Sequence, residues 1–467
     1  MPADPAEQLA QHPRAFLIAA AGCGKTETVV RAAGMFSEGR QLVLTHTHAG
    51  VKALKDRLKR VGAEGRRVHV DTIAGFSLRY AASFPRLSGI VTAEPRGQDW
   101  AAVYGAGRHV MDASVGGRVL RESYAGIYVD EYQDCTVEQH ELIMAMAALL
   151  PCRVVLDPLQ CIFDFGGAEV VSVERHVATS FERLPDLETP YRWRTSNPAL
   201  GDWLVAVRGD IIAGRPIALK DAPIERGLSS RPNQLSTCFR VAQREGSVVA
   251  IGSWPNDCFA IARNLRGIYT VMEPIECPDL LDAAKALEAA RGPARAVVLI
   301  DFASACLTAV GTELRPARTA FARGDFPIIR SNSANRRVLS ALAAVAGDDT
   351  FRPLADAIEA IESMPGSVLH RRELWREMAR TVRLKLGPDA IALEEAAWRV
   401  RDTGRQRGRR VEHRTVSRTV LVKGLEFDHA LILSAHRLSA RNLYVALTRG
   451  SRSLTVLSDS DVLATAA

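Results

Sequence analysis

The chain has 467 residues, of which 47% are hydrophobic, and a formal net charge of +7 at pH 7. This length predicts two or more packed cores, and the composition excludes a disordered protein. No stretch approaches the roughly 20 uninterrupted apolar residues of a membrane span, so no membrane segment is expected. The basic balance favours a polyanionic partner, with a basic surface that has no such partner as the alternative.

The eight cysteines are scattered along the chain without a C-x-x-C pair. This spacing excludes an evident zinc or iron–sulfur site and is typical of a reducing compartment. The N-terminal segment lacks a charged start followed by an apolar core, so no signal peptide is expected. Together these features predict a cytoplasmic protein.

Short apolar strands alternate with helices in the first part of the chain. Residues 14–50 are predicted to form a strand, a turn, a helix and a second strand, and the amphipathic stretch AGVKALKDRLKRVG and the strand RRVHVDTI follow. Two later apolar runs, YAGIYVDEYQD and CRVVLDPLQ, end in acidic or polar residues. The alternation predicts a parallel sheet with helices on both faces, and ligands collect at the carboxyl ends of such strands.

A second alternation of strands and helices begins near residue 240 with SVVAIGSW and IYTVMEP. It resumes near the C-terminus at HALILSAH and SLTVLSDS, after a helix-rich block at residues 296–410. This order predicts a second α/β core that the helical block interrupts. A basic loop at residues 401–414 is either a solvated charge run or a nucleic-acid contact.

A phosphate-binding loop is predicted at residues 19–26, AAAGCGKT, between the first strand and the first helix. The pattern G-x-x-x-x-G-K-[ST] is met except at its first glycine, where Ala19 stands. Glycines free backbone amides to wrap phosphates at a helix N-terminus, Lys25 would reach the β- and γ-phosphates, and Thr26 would bind Mg²⁺. The predicted ATP contacts in this loop are Ala19, Ala20, Ala21, Gly22, Cys23, Gly24, Lys25 and Thr26.

An acidic pair, Asp130 and Glu131, follows the apolar strand IYV. Hydrolysis needs a carboxylate that holds Mg²⁺ and a group that activates water, and these two residues suit those roles in that order. An acidic pair after a strand is often a solvated loop. With Lys25 and Thr26 upstream, ATP hydrolysis is the favoured interpretation.

The sequence DEYQD at residues 130–134 resembles the DEFQD-type Walker B box of UvrD/Rep-like superfamily 1 helicases. Other stretches resemble further motifs of that family in the same order, from residue 8 to residue 449. They are the Q motif at Gln8, motif Ia at 44–49, motif Ib at 71–76, motif III at 156–163, motif IV at 189–192, motif V at 423–427 and motif VI at 442–449.

The resemblance implies an ATP- and Mg²⁺-dependent DNA helicase or translocase with 3′-to-5′ polarity. The implied catalytic residues are Lys25, Asp130, Glu131, Gln160, Arg192 and Arg449, with Thr26 and Asp130 as metal ligands. The further implied ATP contacts are Gln8, Tyr191, Gly424 and Glu426. The implied DNA contacts are Thr45, His46, Thr72, Phe165 and Thr448.

The predicted fold is α/β, with two RecA-like P-loop cores and small, mostly helical insertions. Arg192 and Arg449 are expected on the second core, from which they would reach the phosphates when the cleft between the cores shuts. The predicted boundaries are 1–76 and 120–188 for the first core, 77–119 for a small insertion, 189–295 and 411–467 for the second core, and 296–410 for the helical insertion.

Four positions depart from the family pattern. Glu27 and Gly166 stand where arginine is usual, and Arg418 and Val420, just before residues 423–427, stand where the family has a threonine and a histidine that contact nucleic acid. These changes leave the hydrolysis set intact and affect coupling and DNA contact. The compact chain also resembles the helicase-like subunit of Gabija-type antiviral systems, whose partner is a nuclease. The alternatives are an ATP- and DNA-sensing subunit that gates such a nuclease with little unwinding, and a nucleic-acid scaffold with an inactive P-loop.

Overall fold

A computed structural model describes residues 4–63, 65, 67–90, 95, 99–163, 167–274, 276–389, 391–407 and 411–464. The predicted DNA contact Phe165 lies outside these residues. The chain divides into two compact units. Unit 1 is Met1–Ile224, Leu438–Ser453 and Asp461–Ala467, and unit 2 is Glu225–Arg437 and Leu454–Ser460. The finer boundaries between cores and insertions stay a prediction.

Unit 1 contains a parallel six-stranded sheet. In spatial order its strands are β3 (Val68–Thr72), β2 (Gln41–Thr45), β4 (Gly126–Val129), β5 (Cys152–Leu156), β1 (Arg14–Ile18) and β6 (Glu182–Arg183). Each of the five pairs of neighbouring strands is parallel. Alternate side chains of β1 enter different cores, with Ala15 and Leu17 on one face and Phe16 and Ile18 on the other. Both faces are therefore covered, as expected for apolar parallel strands.

Ten α-helices of unit 1 lie within the described residues, besides its short 3-10 and π helices. They are α1 (Pro5–Gln11), α2 (Lys25–Arg31), α3 (His48–Arg60), α4 (Ile73–Ser83), α5 (Pro85–Ser88), α6 (Asp99–Asp112), α7 (Ser114–Ser123), α8 (Val137–Ala147), α9 (Pro198–Ile212) and α21 (Ala440–Leu447). Thr136 and Gln139 form a capping box that starts α8 directly after the acidic segment. A short antiparallel pair, β7 (Ile217–Ala218) and β14 (Val462–Leu463), completes the unit.

Unit 2 contains the second six-stranded sheet. Its strands in spatial order are β10 (Thr270–Val271), β11 (Arg414–Arg418), β9 (Val248–Gly252), β12 (Phe427–Ile432), β13 (Gly450–Leu457, of which residues 454–457 belong to unit 2) and β8 (Glu225–Gly227). The pairs β10–β11, β11–β9, β9–β12 and β13–β8 are parallel. All five residues of β9 are buried, as a central strand of a parallel sheet requires.

The helices of unit 2 include a block with a hydrophobic core of its own. They are α10 (Arg231–Val241), α11 (Pro255–Asn264), α12 (Pro278–Ala289), α13 (Gly292–Cys306), α14 (Val310–Glu313), α15 (Arg315–Ala322), α16 (Arg336–Gly347), α17 (Arg352–Glu362), α18 (Arg372–Lys385), α19 (Leu393–Arg407) and α20 (Thr419–Val422). Leu299 on α13, Leu342 on α16 and Trp375 on α18 belong to one buried cluster.

Two parallel sheets flanked by helices confirm the predicted α/β class with two RecA-like cores. The helical block inside unit 2 agrees with the prediction of mostly helical insertions. Among the described helices, none combines the length and the apolar character that crossing a membrane requires.

Candidate nucleotide-binding site

The loop between β1 and α2 has the backbone geometry of a tight phosphate cradle. Gly22 and Gly24 have φ values of 74° and 86°, in the left-handed region that favours glycine. A Cβ atom on Gly22 would also lie 2.5 Å from the ring of Trp193. Ala19 instead continues the sheet, since its N–H donates to the Leu156 carbonyl at 2.9 Å. This explains why the loop needs no glycine at residue 19.

Lys25 is the first residue of α2, and its side chain is buried against the acidic pair. Its Nζ lies 2.6 Å from the Glu131 Oε2 atom. Beyond this ion pair, Nζ has no hydrogen-bond partner among the described residues. Burial opposes the charged form, but Glu131, Asp130 and Asp157 outweigh it and raise the pKa of Lys25. The lysine is therefore charged, and its ammonium is available to bind an anion if Glu131 gives way.

Thr26 and Asp130 form the second contact between the loop and the acidic pair. The Thr26 hydroxyl donates to Asp130 Oδ2 at 3.0 Å, and the Asp130 side chain is buried. Two hard oxygen donors side by side suit Mg²⁺, which is usually held by one or two carboxylates together with phosphate and water. The described residues contain no cluster of three or more His, Cys, Asp or Glu that could hold a metal alone. The residues present therefore fit a metal that arrives with phosphate.

Burial raises the pKa of Asp130 to about 6, and the neighbouring Glu131 carboxylate adds to this shift. Lys25 and the Thr26 hydroxyl act in the opposite direction. A buried acid beside a second acid resists ionisation until a cation neutralises it. A raised pKa of this kind is expected of a carboxylate that binds a metal ion.

The backbone at Glu131 adopts a left-handed conformation. Glu131 has φ 58°, an uncommon value for a residue other than glycine. Its N–H donates to Asp130 Oδ1 at 3.0 Å, and Gln133 Nε2 donates to its carboxylate. Strain of this kind clusters at functional sites, where the surrounding contacts enforce it.

Gln160 lies in a buried network that the sequence did not predict. Its Nε2 donates to Asp157 Oδ2 at 2.8 Å, and the Tyr444 hydroxyl donates to the same oxygen at 3.2 Å. Tyr444 also accepts the N–H of Ala21 at 2.9 Å. Asp157 and Tyr444 were not among the predicted site residues. Their positions could have indicated them, because Asp157 lies in the motif III stretch and Tyr444 in the motif VI stretch.

Arg192 and Arg449 both belong to unit 1, together with Lys25, whereas the sequence interpretation assigned them to a second core. The backbone N–H of Arg192 donates to the Gly22 carbonyl at 3.1 Å, and its Nη1 donates to the Thr448 carbonyl at 2.6 Å. Arg449 is 1% exposed, and its guanidinium bonds to the Val445 carbonyl and the Thr448 hydroxyl. Arg192 therefore lies next to the phosphate-binding loop, whereas the Arg449 guanidinium is buried against Thr448 and the Val445 carbonyl.

The other predicted ATP contacts differ in their surroundings. Tyr191 is 56% exposed, and its ring lies 3.4 Å from where a Cβ on Gly24 would stand. Gln8 is half-buried on α1, which packs against α2. Gly424 and Glu426 are exposed residues of unit 2. Tyr191 is thus next to the loop, and the roles of the other three stay predictions.

The predicted DNA contacts are mostly not at the surface. The side chains of Thr45, Thr72 and Thr448 are buried. Thr72 caps α4 by accepting the Gly75 N–H at 2.9 Å, and Thr448 donates to the Val445 carbonyl at 2.9 Å. His46 is half-buried, and its Nε2 lies 3.5 Å from the Cys135 thiol. DNA contact by these residues stays a prediction.

We expect Asp130→Asn to stabilise the nucleotide-free protein at pH 8 by about 2–3 kcal/mol while removing a predicted metal ligand. In the wild type the folded-state pKa, about 6, exceeds the ordinary value of 3.8, so the charged form lowers the free energy of unfolding above pH 6. This penalty declines as the pH falls from about 6 and disappears only below 3.8, where the group is protonated in both states.

Urea unfolding of the wild type and Asp130→Asn at pH 8 and pH 4.5 measures this effect. The exposed Asp56→Asn on α3 is the matched control and should show no such pH-dependent gain. An equal stability difference at both pH values for Asp130→Asn would contradict the assignment.

Residues 4–165 match the family described as an AAA domain. No curated protein matches this sequence. Among the solved structures that are similar to this chain are two with 10% sequence identity. Arterivirus nonstructural protein 10 (helicase) in complex with DNA has a TM-score of 0.37, with 98% of this chain and 63% of that chain covered. The crystal structure of Arterivirus nonstructural protein 10 (helicase) has a TM-score of 0.36, with 97% and 61% covered.

This chain spans less than two thirds of the length of those two solved proteins. The match to the AAA domain covers α1, the loop before α2, the acidic pair after β4, and Gln160. Residues 4–165 are therefore similar to an AAA domain, and the predicted phosphate and metal ligands lie inside that match.

Proposed function

We propose that this chain is a superfamily 1 helicase-like enzyme that hydrolyses ATP with Mg²⁺ in unit 1 and uses it to move on DNA. The observation that carries the proposal is the double contact between the loop and the acidic pair. Lys25 meets Glu131 at 2.6 Å and Thr26 meets Asp130 at 3.0 Å. The phosphate-binding lysine is thus paired with the predicted base, and the predicted metal-binding hydroxyl is paired with the predicted metal-binding carboxylate, as phosphate binding and hydrolysis require.

Each side chain has a defined role in this proposal. The loop amides and Lys25 hold the phosphates, while Thr26 and Asp130 hold the metal. Mg²⁺, when bound, neutralises developing charge on the phosphates. Glu131 orients the attacking water and accepts its proton, and Gln160, Arg192 and Arg449 act near the γ-phosphate, as the family resemblance implies. Nucleotide entry must separate Lys25 from Glu131, after which water can take the place of the ammonium beside that carboxylate.

The DNA side of the proposal comes from the family resemblance and the net charge of +7. The expected activity is movement on single-stranded DNA with 3′-to-5′ polarity. One observation favours a second function, because the hydroxyls of Thr45, Thr72 and Thr448 are buried. If these groups do not contact DNA, the chain fits an ATP- and DNA-sensing subunit that gates a partner nuclease, as in a Gabija-type antiviral complex, with little unwinding.

Strand displacement on tailed duplexes, measured together with phosphate release, separates these functions. The helicase proposal predicts ATP-dependent displacement of a duplex with a 3′ tail and not of one with a 5′ tail. Hydrolysis that DNA stimulates without displacement of either duplex would support the sensing subunit. Folded protein that releases no phosphate would overturn both.

A further inference from the structure

The loop between β1 and α2 is held by a residue 423 positions away in the sequence. The backbone N–H of Ala21 donates to the Tyr444 hydroxyl at 2.9 Å. Tyr444 lies on α21 and is 1% exposed, so water cannot replace this contact. Ala21 is one of the predicted ATP contacts, and that prediction does not extend to its N–H, which is bonded to Tyr444.

The same hydroxyl continues the chain of hydrogen bonds to Asp157. It donates to Asp157 Oδ2 at 3.2 Å, and Asp157 is fully buried. A phenol can accept one bond and donate another only while it is neutral. Burial and the charge of Asp157 raise the pKa of Tyr444 well above its ordinary value, so the hydroxyl keeps its proton.

Asp157 connects the Ala21–Tyr444 hydrogen bond to two side chains near the acidic pair, Gln160 and Gln133. Its Oδ2 accepts Gln160 Nε2 at 2.8 Å. Its backbone N–H donates to Gln133 Oε1 at 3.0 Å, and Gln133 in turn donates to Glu131. One buried hydrogen-bond network therefore connects the loop backbone at Ala21 with Gln160 and with Gln133, the residue that donates to Glu131.

We propose that Tyr444 is a positioning residue that holds the phosphate-binding loop and Gln160 in one preorganised arrangement. This inference rests on the proposed ATP site. A loop that is ordered before the nucleotide arrives loses less conformational entropy on binding. The hydrogen bond between Ala21 and Tyr444 should therefore raise nucleotide affinity. Tyr444 does not reach the phosphates in this account, because its hydroxyl is used by Ala21 and Asp157.

Tyr444→Phe tests the proposal, since it removes one oxygen atom and keeps the buried ring. We expect the KM and the directly measured Kd for ATP to rise about tenfold, equivalent to about 1.4 kcal/mol. The kcat should change less than about threefold, because Gln160 keeps its own hydrogen bond to Asp157 in this variant. Tyr269→Phe is the matched control: Tyr269 is buried in unit 2, and its hydroxyl donates to the Cys238 carbonyl at 3.0 Å.

Tyr444→Phe loses two buried hydrogen bonds and Tyr269→Phe loses one, so thermal stability should fall in both variants and further in Tyr444→Phe. A KM shift in Tyr444→Phe that is absent from Tyr269→Phe supports the positioning role. Unchanged KM and Kd in Tyr444→Phe, with active wild type, would overturn this inference alone. Wild type that binds no ATP would overturn the proposed function as well.

A double-mutant cycle provides the second test. Asp157→Asn should also raise the KM, and adding Tyr444→Phe should raise it by less than the product of the single effects, since both changes break one network. Full multiplicativity would contradict a shared network. If Tyr444→Phe does not fold, Asp157→Asn carries the same KM-against-kcat comparison, and an unchanged KM there overturns the inference.

Discussion

Glu131→Gln is expected to reduce ATP turnover by about 10²–10³-fold or more, with nucleotide binding kept or strengthened. Glutamine preserves the shape of the side chain but cannot accept a proton from water. It also removes the charge that pairs with Lys25 at 2.6 Å, so the ammonium is freer to meet a phosphate. Steady-state phosphate release and a nucleotide titration on the same preparation measure the two effects.

Glu138→Gln is the matched control for this variant, because Glu138 is an exposed acid in the first turn of α8. It should hydrolyse ATP like the wild type. Turnover by Glu131→Gln equal to that of Glu138→Gln would refute the assignment of Glu131 as the base.

Lys25→Ala is expected to weaken ATP binding by about 10²-fold or more and to abolish measurable turnover. The ammonium is the buried cation between the loop and the acidic pair, and without it the Asp130 and Glu131 carboxylates would face the phosphates directly. The variant should also be less stable than the wild type at high pH, since both acids must then ionise without their cation. Nucleotide titration and thermal unfolding with and without Mg-ATP measure these effects.

The control for Lys25→Ala is Lys59→Ala, which removes an exposed lysine on α3. Thermal stabilisation by Mg-ATP should be retained in Lys59→Ala and lost in Lys25→Ala. Equal ATP affinity in the two variants would contradict the phosphate-binding role of Lys25.

Much of the fold of unit 1 follows from apolar runs that end in polar residues. The run CRVVL became β5, with all five residues buried, because a central parallel strand is covered on both faces. The strand before Asp130 and the strand before the glycine loop belong to the same sheet. Because parallel strands carry their carboxyl ends to one edge, Lys25 and Thr26 meet Glu131 and Asp130 there.

The sequence could not predict contacts that depend on packing between distant segments. Tyr444 meets Asp157 across 287 positions, and no periodicity of apolar residues encodes that meeting. Trp193 lies against the position where Gly22 would carry a Cβ, which adds a packing requirement to the turn requirement. Motif resemblance also indicates residue type and not exposure, so the buried positions of Thr45 and Thr72 could not be predicted from it.

The most direct test of the central claim is steady-state phosphate release by the purified wild-type chain with Mg-ATP, with and without single-stranded DNA. The wild type should show Mg²⁺-dependent release that DNA stimulates, and Glu131→Gln should lose it. Circular dichroism of both proteins establishes that they are folded. Release by folded wild type no greater than that of Glu131→Gln, with or without DNA, would contradict the claim that unit 1 is an ATP-hydrolysing site.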